Sequence, residues 1–293
     1  MENNEAQYEN VLYEKSGPVA TITLNRPDKM NALSLGPGGL LEEWADACAD
    51  ARQDTDVRVV VIKGAGRAFS AGYDISQDFD LLDAPIDDAG YQFMADHVDR
   101  YFRALWESPK VFIAQVHGFC LAGAGDMAAF CDLTVASDDA VFGYPAVRYG
   151  VLPTTFVWPY LIGMKKTREL AYTGNMMGAT EALQHGLVNR VVPRDELDAA
   201  VAELADSICQ VPALTVRLTK QSVNNMFEIM GIRQSVQQSR ELDLHVMSSP
   251  PAEMREFFEI ADREGLTAAL AWRDSRHAAH DEVGRDLRSR RYD

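Results

Sequence analysis

The stretch Val111–Asp132, VFIAQVHGFCLAGAGDMAAFCD, constrains the fold more than any other part of the chain. VFIAQV is a short apolar run with the length and composition of a buried strand. Gly118, Gly123 and Gly125 follow it, and Asp126-Met-Ala-Ala-Phe-Cys then supplies helix-forming residues. A strand, a glycine-rich turn and a helix start leave the first helical N–H groups without intrahelical partners. Such donors suit an anion, or a carbonyl oxygen that becomes one. Asp126 sits in the same turn, where a carboxylate can exchange a proton with a group those donors hold. Two other readings use the same residues. Gly123–Ala128 fits G-x-G-x-x-A, the dinucleotide fingerprint, although its first glycine lies seven residues past Val116. The acid expected ~20 positions further on has only Asp138 and Asp139, which come early. In the other reading the glycines only let a helix pack closely on a strand.

A second stretch has the same construction. VRVVVIKG (57–64) is another buried-strand run, followed by AGRAFSAGYDIS (65–76) with its own glycine-bearing loop and A-G-x-D tetrapeptide. Together the two stretches resemble the signature regions of the enoyl-CoA hydratase/isomerase (crotonase) family. ATITLNRPDKMNAL (20–33) resembles that family's first motif, and FGYPAVRYGVLP (142–153) and ALQHGLVNRVVP (182–193) resemble two later ones. The likeness runs from about Tyr8 to at least Gln221.

The resemblance implies an α/β fold: a crotonase-like spiral of repeated β-β-α units over residues 8–193 that holds the acyl-CoA site. Residues 194–293 would form a helical region with a charged C-terminal tail, packing subunits into a homotrimer or a dimer of trimers. It implies an acyl-CoA thioester as substrate, with coenzyme A as part of that substrate and no separate cofactor. It also places an oxyanion hole at the backbone N–H groups of Tyr73 and Gly123, and a proton carrier at Asp126. Coenzyme A contacts would come from Met30, Ala32, Ala71, Asp74 and Ile75, with Arg26, Lys29 or Arg67 near the phosphates, and Arg273 or Arg276 supplied by a neighbouring subunit.

The sequence departs from the family at one position that matters. Hydratases carry a second glutamate after the proline of the F-G-x-P motif, and here Phe142-Gly-Tyr-Pro145 is followed by Ala146. Water addition to a conjugated double bond uses two carboxylates, so double-bond migration, decarboxylation and C–C cleavage stand beside hydration. The position where dienoyl isomerases carry an aspartate is Thr154. Tyr144, Arg148 and Tyr149 lie near the lost glutamate, and Arg148 could meet either an acidic substrate or a surface carboxylate. Trp158 and Tyr160 suggest a bulky acyl group or a place in the core. A non-catalytic acyl-CoA binder and a nucleotide-dependent oxidoreductase are the rival readings.

Composition narrows the classes further. With 28 basic and 44 acidic residues the net charge is −16, which argues against nucleic-acid or anionic-membrane partners. No apolar run nears the ~20 residues of a membrane-spanning helix. The N-terminus MENNEAQYEN is polar and acidic, unlike a signal peptide. The four cysteines form no C-x-x-C pair, which fits buried thiols in the cytoplasm. The scattered histidines predict no metal site.

The spacing predicts a hairpin around Ser16-Gly17 and a helix from Leu40 to about Arg52. It predicts further helices over 91–106 and 154–163; the acidic, irregular segment 74–89 is a mobile loop over the site or solvated surface, and the family resemblance implies that it lines the acyl pocket. Five helices are expected after Arg194.

Overall fold

The computed structural model describes residues 8–76, 100, 102–153, 157–281 and 283. The predicted hairpin forms from β1 (Val11–Ser16) and β2 (Val19–Leu24), paired antiparallel from Val11 with Leu24 to Ser16 with Val19. Gly17 makes the turn at φ +57°, a left-handed value that a Cβ disfavours. Four strands then add in parallel: β3 (Val59–Gly64), β4 (Val111–Val116), β6 (Leu133–Ser137) and β9 (Arg190–Val192), giving the order β1-β2-β3-β4-β6-β9. A second sheet, set by β5 (Phe119–Leu121), β7 (Val141–Gly143) and β8 (Met176–Gly178), has the order β5-β7-β8.

The central strands are mostly apolar because both faces are covered. Val60, Ile62, Phe112 and Ala114 point into the main core with Leu41 and Trp44 of α1 (Leu40–Gln53). Val59, Val61 and Ile113 point the other way, onto Leu197, Val201 and Ala205 of α5 (Leu197–Gln210). Between these elements come α2 (Gly123–Phe130), α3 (Trp158–Thr173) and α4 (Ala179–His185). The predicted 154–163 helix starts only at Trp158, with a proline in its first turn, where a missing N–H costs nothing. It continues to Thr173 past a break at Gly163; residues 154–156, including Thr154, lie outside the described residues.

After α5 the chain is helical, as expected: α6 (Ala213–Ile229), α7 (Ile232–Ser248), α8 (Ala252–Glu264) and α9 (Leu266–Ser275). Helices α8 and α9 pack on each other and on the turn containing Tyr149. Tyr149 stacks on Phe257 with ring centroids 4.1 Å apart and planes 10° from parallel. The helical region is thereby seated on the strand-rich part of its own chain. Of the predicted 91–106 helix, a single π-type turn at Phe102–Trp106 is described. Most of the acidic 74–89 segment, like the charged tail, lies outside the described residues. Among the described residues no single helix is long and apolar enough to cross a membrane.

Candidate active site

Three irregular strips lie side by side at one end of the large sheet. The strip after β2 bends at Met30 and Asn31, both left-handed (φ 49° and 53°). It then meets the strip after β3: Ala71 N donates to Met30 O (2.9 Å), Leu33 N to Gly72 O (2.8 Å), and Asp74 N to Leu33 O (3.0 Å). The strip after β3 meets the turn after β4 on its other side. Phe69 N donates to His117 O (2.8 Å), Ser70 N to Phe119 O (2.9 Å), and Leu121 N to Ser70 O (3.1 Å). Asn31 fastens the assembly. Its fully buried amide donates to the carbonyls of Ala65 (2.8 Å), Ala68 (2.8 Å) and Phe69 (3.1 Å), and its oxygen accepts from Arg26 N (2.9 Å). Gly72 is required by the closeness of the strips: its φ is +93°, and a Cβ there would lie 2.7 Å from Leu121 O.

This stacking brings the two signature stretches together. Ala122, the residue before α2, has φ 49° and ψ −127°, a conformation costly for a side-chain-bearing residue and typical of functional turns. It aligns the first turn of α2, and Ala122 N is held by Gly143 O (2.8 Å) from the second sheet. The ring of Tyr73 lies against Gly123, so that a Cβ on Gly123 would sit 2.6 Å from the ring. Gly125 is held as closely by Trp158, whose ring would be 3.0 Å from an added Cβ. Both fingerprint glycines are helical residues of α2 rather than parts of a strand-to-helix turn, so they serve close packing.

A cavity of about 500 Å³ opens beside these strips. Met30, Ala32, Ala71, Tyr73, Asp74, Ile75 and Tyr144 line it. Gly123 and Asp126 do not reach the wall; Asp126 is fully buried, and the Tyr73 ring lies against Gly123. The opposite wall comes from the helical region: Asp243 and Met247 of α7, Met254 and Phe258 of α8, and Leu266 and Leu270 of α9. The cavity is therefore lined both by residues of 8–193 and by residues between 243 and 273. Arg273 lines the same wall of its own chain, bonded to Asp274 at 2.8 Å.

A scan with family models matches residues 14–264 to "Enoyl-CoA hydratase/isomerase". The chain belongs to the enoyl-CoA hydratase/isomerase family. A probable enoyl-CoA hydratase of Mycobacterium tuberculosis is 38% identical, over 75% of this chain and 83% of its own length. A short-chain-enoyl-CoA hydratase of Clostridium acetobutylicum is 36% identical, over 73% of this chain and 81% of that one. The crystal structure of an enoyl-CoA hydratase/isomerase from Xanthobacter autotrophicus Py2 superposes with a TM-score of 0.87, at 37% identity, covering 92% of this chain and 99% of the other. The mixed α/β architecture with its C-terminal helices is thus the crotonase fold.

Within this family fold the charged residues near the cavity divide into paired and underused ones. Arg26 donates to Asp74 (2.9 Å) and to Ala32 O (2.7 Å). Burial alone would raise the Asp74 pKa, but hydrogen bonds from Ser76 and Arg26 outweigh it and hold the carboxyl below its ordinary value. Lys29 stands at the rim, 3.3 Å from Ser76 Oγ, while Arg67 is exposed on the surface. Arg148 is a correction. Its guanidinium is fully buried, donating to Asp281 (2.8 Å), Asn175 (2.9 Å) and Thr173 O (3.1 Å), and it is absent from the cavity wall. Its partner is a carboxylate of the protein, as in one of the two readings, but a buried one rather than one on the surface. Trp158 and Tyr160 are likewise packing residues, the first in the core against Gly125 and the second edge-on to Phe227.

Asp243 is the site residue that sequence reasoning missed. It is 1% exposed and lies on the cavity wall. The carboxyl accepts from the Leu152 backbone N–H, yet burial pushes its pKa up to about 7. Tyr144, on the wall with it, is held well above an ordinary phenol, first by burial and then by the charges of Asp126, Tyr73 and Asp243. The signal was an acid on the apolar stripe of a helix, Ile232, Val236, Asp243 and Leu244.

Proposed function

We propose that this enzyme binds an acyl-CoA thioester and stabilises its enolate, with the thioester oxygen between the backbone N–H groups of Tyr73 and Gly123 and with Asp126 moving the proton at C2. The observation that carries this reading is the juxtaposition of the two signature strips, which sets Tyr73 against Gly123 with Asp126 one helical turn on. Donors fixed by backbone pairing need no reorganisation when charge develops on the oxygen. Loss of one such donor costs about 2.7–4 kcal/mol of barrier. The mostly apolar wall suits an acyl chain, and the Met30–Ala32 and Ala71–Ile75 strips lie where coenzyme A would thread past Lys29.

The reaction class is a two-electron proton-transfer reaction at the acyl α-carbon. The matched positions alone support double-bond migration as well as hydration, because Ala146 offers no acid. The expected homotrimer is supported by the exposed apolar side chains of α6, Leu214, Leu218, Met226 and Ile229, a stripe that a second copy would cover. The test is binding and turnover with short 2-enoyl, long 2-enoyl, 3-enoyl and aromatic CoA esters. The reading expects turnover of at least one ester and a loss of about 10²–10⁴-fold in D126N. Undiminished turnover in that variant would remove Asp126 from the mechanism, and failure of the wild type to bind any ester would remove the acyl-CoA reading.

A further inference from the structure

Resting on that reading, we infer that Asp243 of α7 is the second acid/base carboxyl of the site, acting at C3 of the acyl chain from the wall opposite Asp126. Four observations meet at this residue. It is nine-tenths buried and lines the cavity. Among the described residues its Oδ1 has no hydrogen-bond partner. Among the described residues the Leu152 backbone N–H supplies the one bond to the carboxyl that opposes the cost of its burial. Ala146, which by the sequence resemblance stands where hydratases hold their second glutamate, lines the same cavity.

A buried carboxyl with a bare oxygen is expensive to maintain, and a structural aspartate is normally saturated. Asp74 and Asp281 show how this chain treats structural carboxylates: each is paired with an arginine, at 2.9 and 2.8 Å. Asp243 has no such partner among the described ion pairs. Arg240 is one turn back on α7, Arg273 faces the cavity from α9 but bonds Asp274, and Tyr73, Tyr144 and Tyr149 line the remaining wall. None of these neighbours lowers the affinity of Asp243 for its proton. A group that titrates near neutrality is suited to both taking and giving a proton.

In the direction of water addition the steps balance as follows. Ionised Asp243 removes a proton from water as the water oxygen bonds to C3. The C2–C3 π pair moves to form the C1–C2 double bond, and the thioester π pair moves onto its oxygen. Protonated Asp126 then delivers its proton to C2 as the thioester C=O re-forms. Water has been added, Asp243 is protonated and Asp126 ionised, and a proton passed back through solvent resets both. Exchange of the C2 proton of a saturated ester uses Asp126 alone, so the two reactions separate the two carboxyls.

The experiment compares wild type, D243N and D243E in three assays: binding of butyryl-CoA, deuterium exchange at C2 of butyryl-CoA in D2O, and turnover of crotonyl-CoA. D243N is expected to keep binding and exchange within about threefold while turnover falls about 100-fold, with partial recovery in D243E. The wild-type rate should rise with pH through a limb near 7 that exchange lacks; this readout does not depend on the variants folding. Turnover within threefold of wild type in D243N, or exchange and turnover falling by the same factor, would overturn the assignment. A wild type that exchanges C2 protons yet hydrates no 2-enoyl ester would also overturn it while leaving the enolate reading intact. A wild type that neither binds nor exchanges would remove the acyl-CoA reading itself.

Discussion

The two walls of the cavity are made of different material. On the side of the strips, main-chain bonds fix the geometry, and the groups assigned to catalysis are mostly backbone N–H groups. On the side of α7–α9, apolar side chains do the lining and a single carboxyl stands among them. The comparison teaches where each kind of function can change. A backbone wall tolerates many side chains provided the strips stay in register, whereas a side-chain wall can be recut for another acyl group residue by residue. Arg148 and Asp243 show the same contrast at the level of single groups. Both are buried, but Arg148 is ion-paired with Asp281 and holds the frame, whereas Asp243 has no arginine partner among the described ion pairs and keeps an oxygen bare.

The largest effect expected from breaking the frame is at Arg148. R148M would remove the arginine paired with buried Asp281 and weaken the hold on Asp274, 3.8 Å away, and should lower stability by about 3–5 kcal/mol, read by urea denaturation. If Arg148 instead served the substrate, stability would hold and KM would rise. Asn31 comes next. N31A leaves three carbonyls and the Arg26 N–H without their side-chain partner, and a loss of about 2–3 kcal/mol is expected. Because Asn31 sets the register of the strips, kcat should fall with it while KM for the acyl portion changes little. The smallest effect is expected at Tyr73. Y73A retains the N–H donor, so turnover should stay within about tenfold of wild type, a fraction of the loss that removal of an oxyanion donor causes. A collapse in Y73A comparable to that of D126N would show that the phenol itself takes part and would erase the distinction between the two walls.

The backbone wall was largely legible in the sequence because its determinants are local. A strand run, a glycine that must adopt positive φ and a helix start lie within a few residues of one another, and Gly72 and Asp126 could be placed from their neighbours. The five C-terminal helices were legible too, from their apolar spacing. What that spacing could not reveal is the direction in which the helical region folds back. Asp243 belongs to a stripe that reads as an ordinary amphipathic helix, and its role depends on Leu152 and Tyr144 across the cavity. Arg148 was undecidable for a similar reason, since its carboxylate partner lies 133 residues away. The glycines of Gly123–Ala128 matched a dinucleotide fingerprint by pattern, but their use is steric, against Tyr73 and Trp158.

The most direct test of the central claim is the fate of the C2 proton. Butyryl-CoA is incubated in D2O with wild type and with D126N, and deuterium at C2 is followed by mass spectrometry, with binding measured in parallel. Stabilisation of an enolate between Tyr73 and Gly123 with Asp126 as proton carrier predicts incorporation by the wild type, and at least 100-fold slower incorporation by D126N at unchanged affinity. Tight binding with no incorporation by the wild type, or equal incorporation by both proteins, would contradict it.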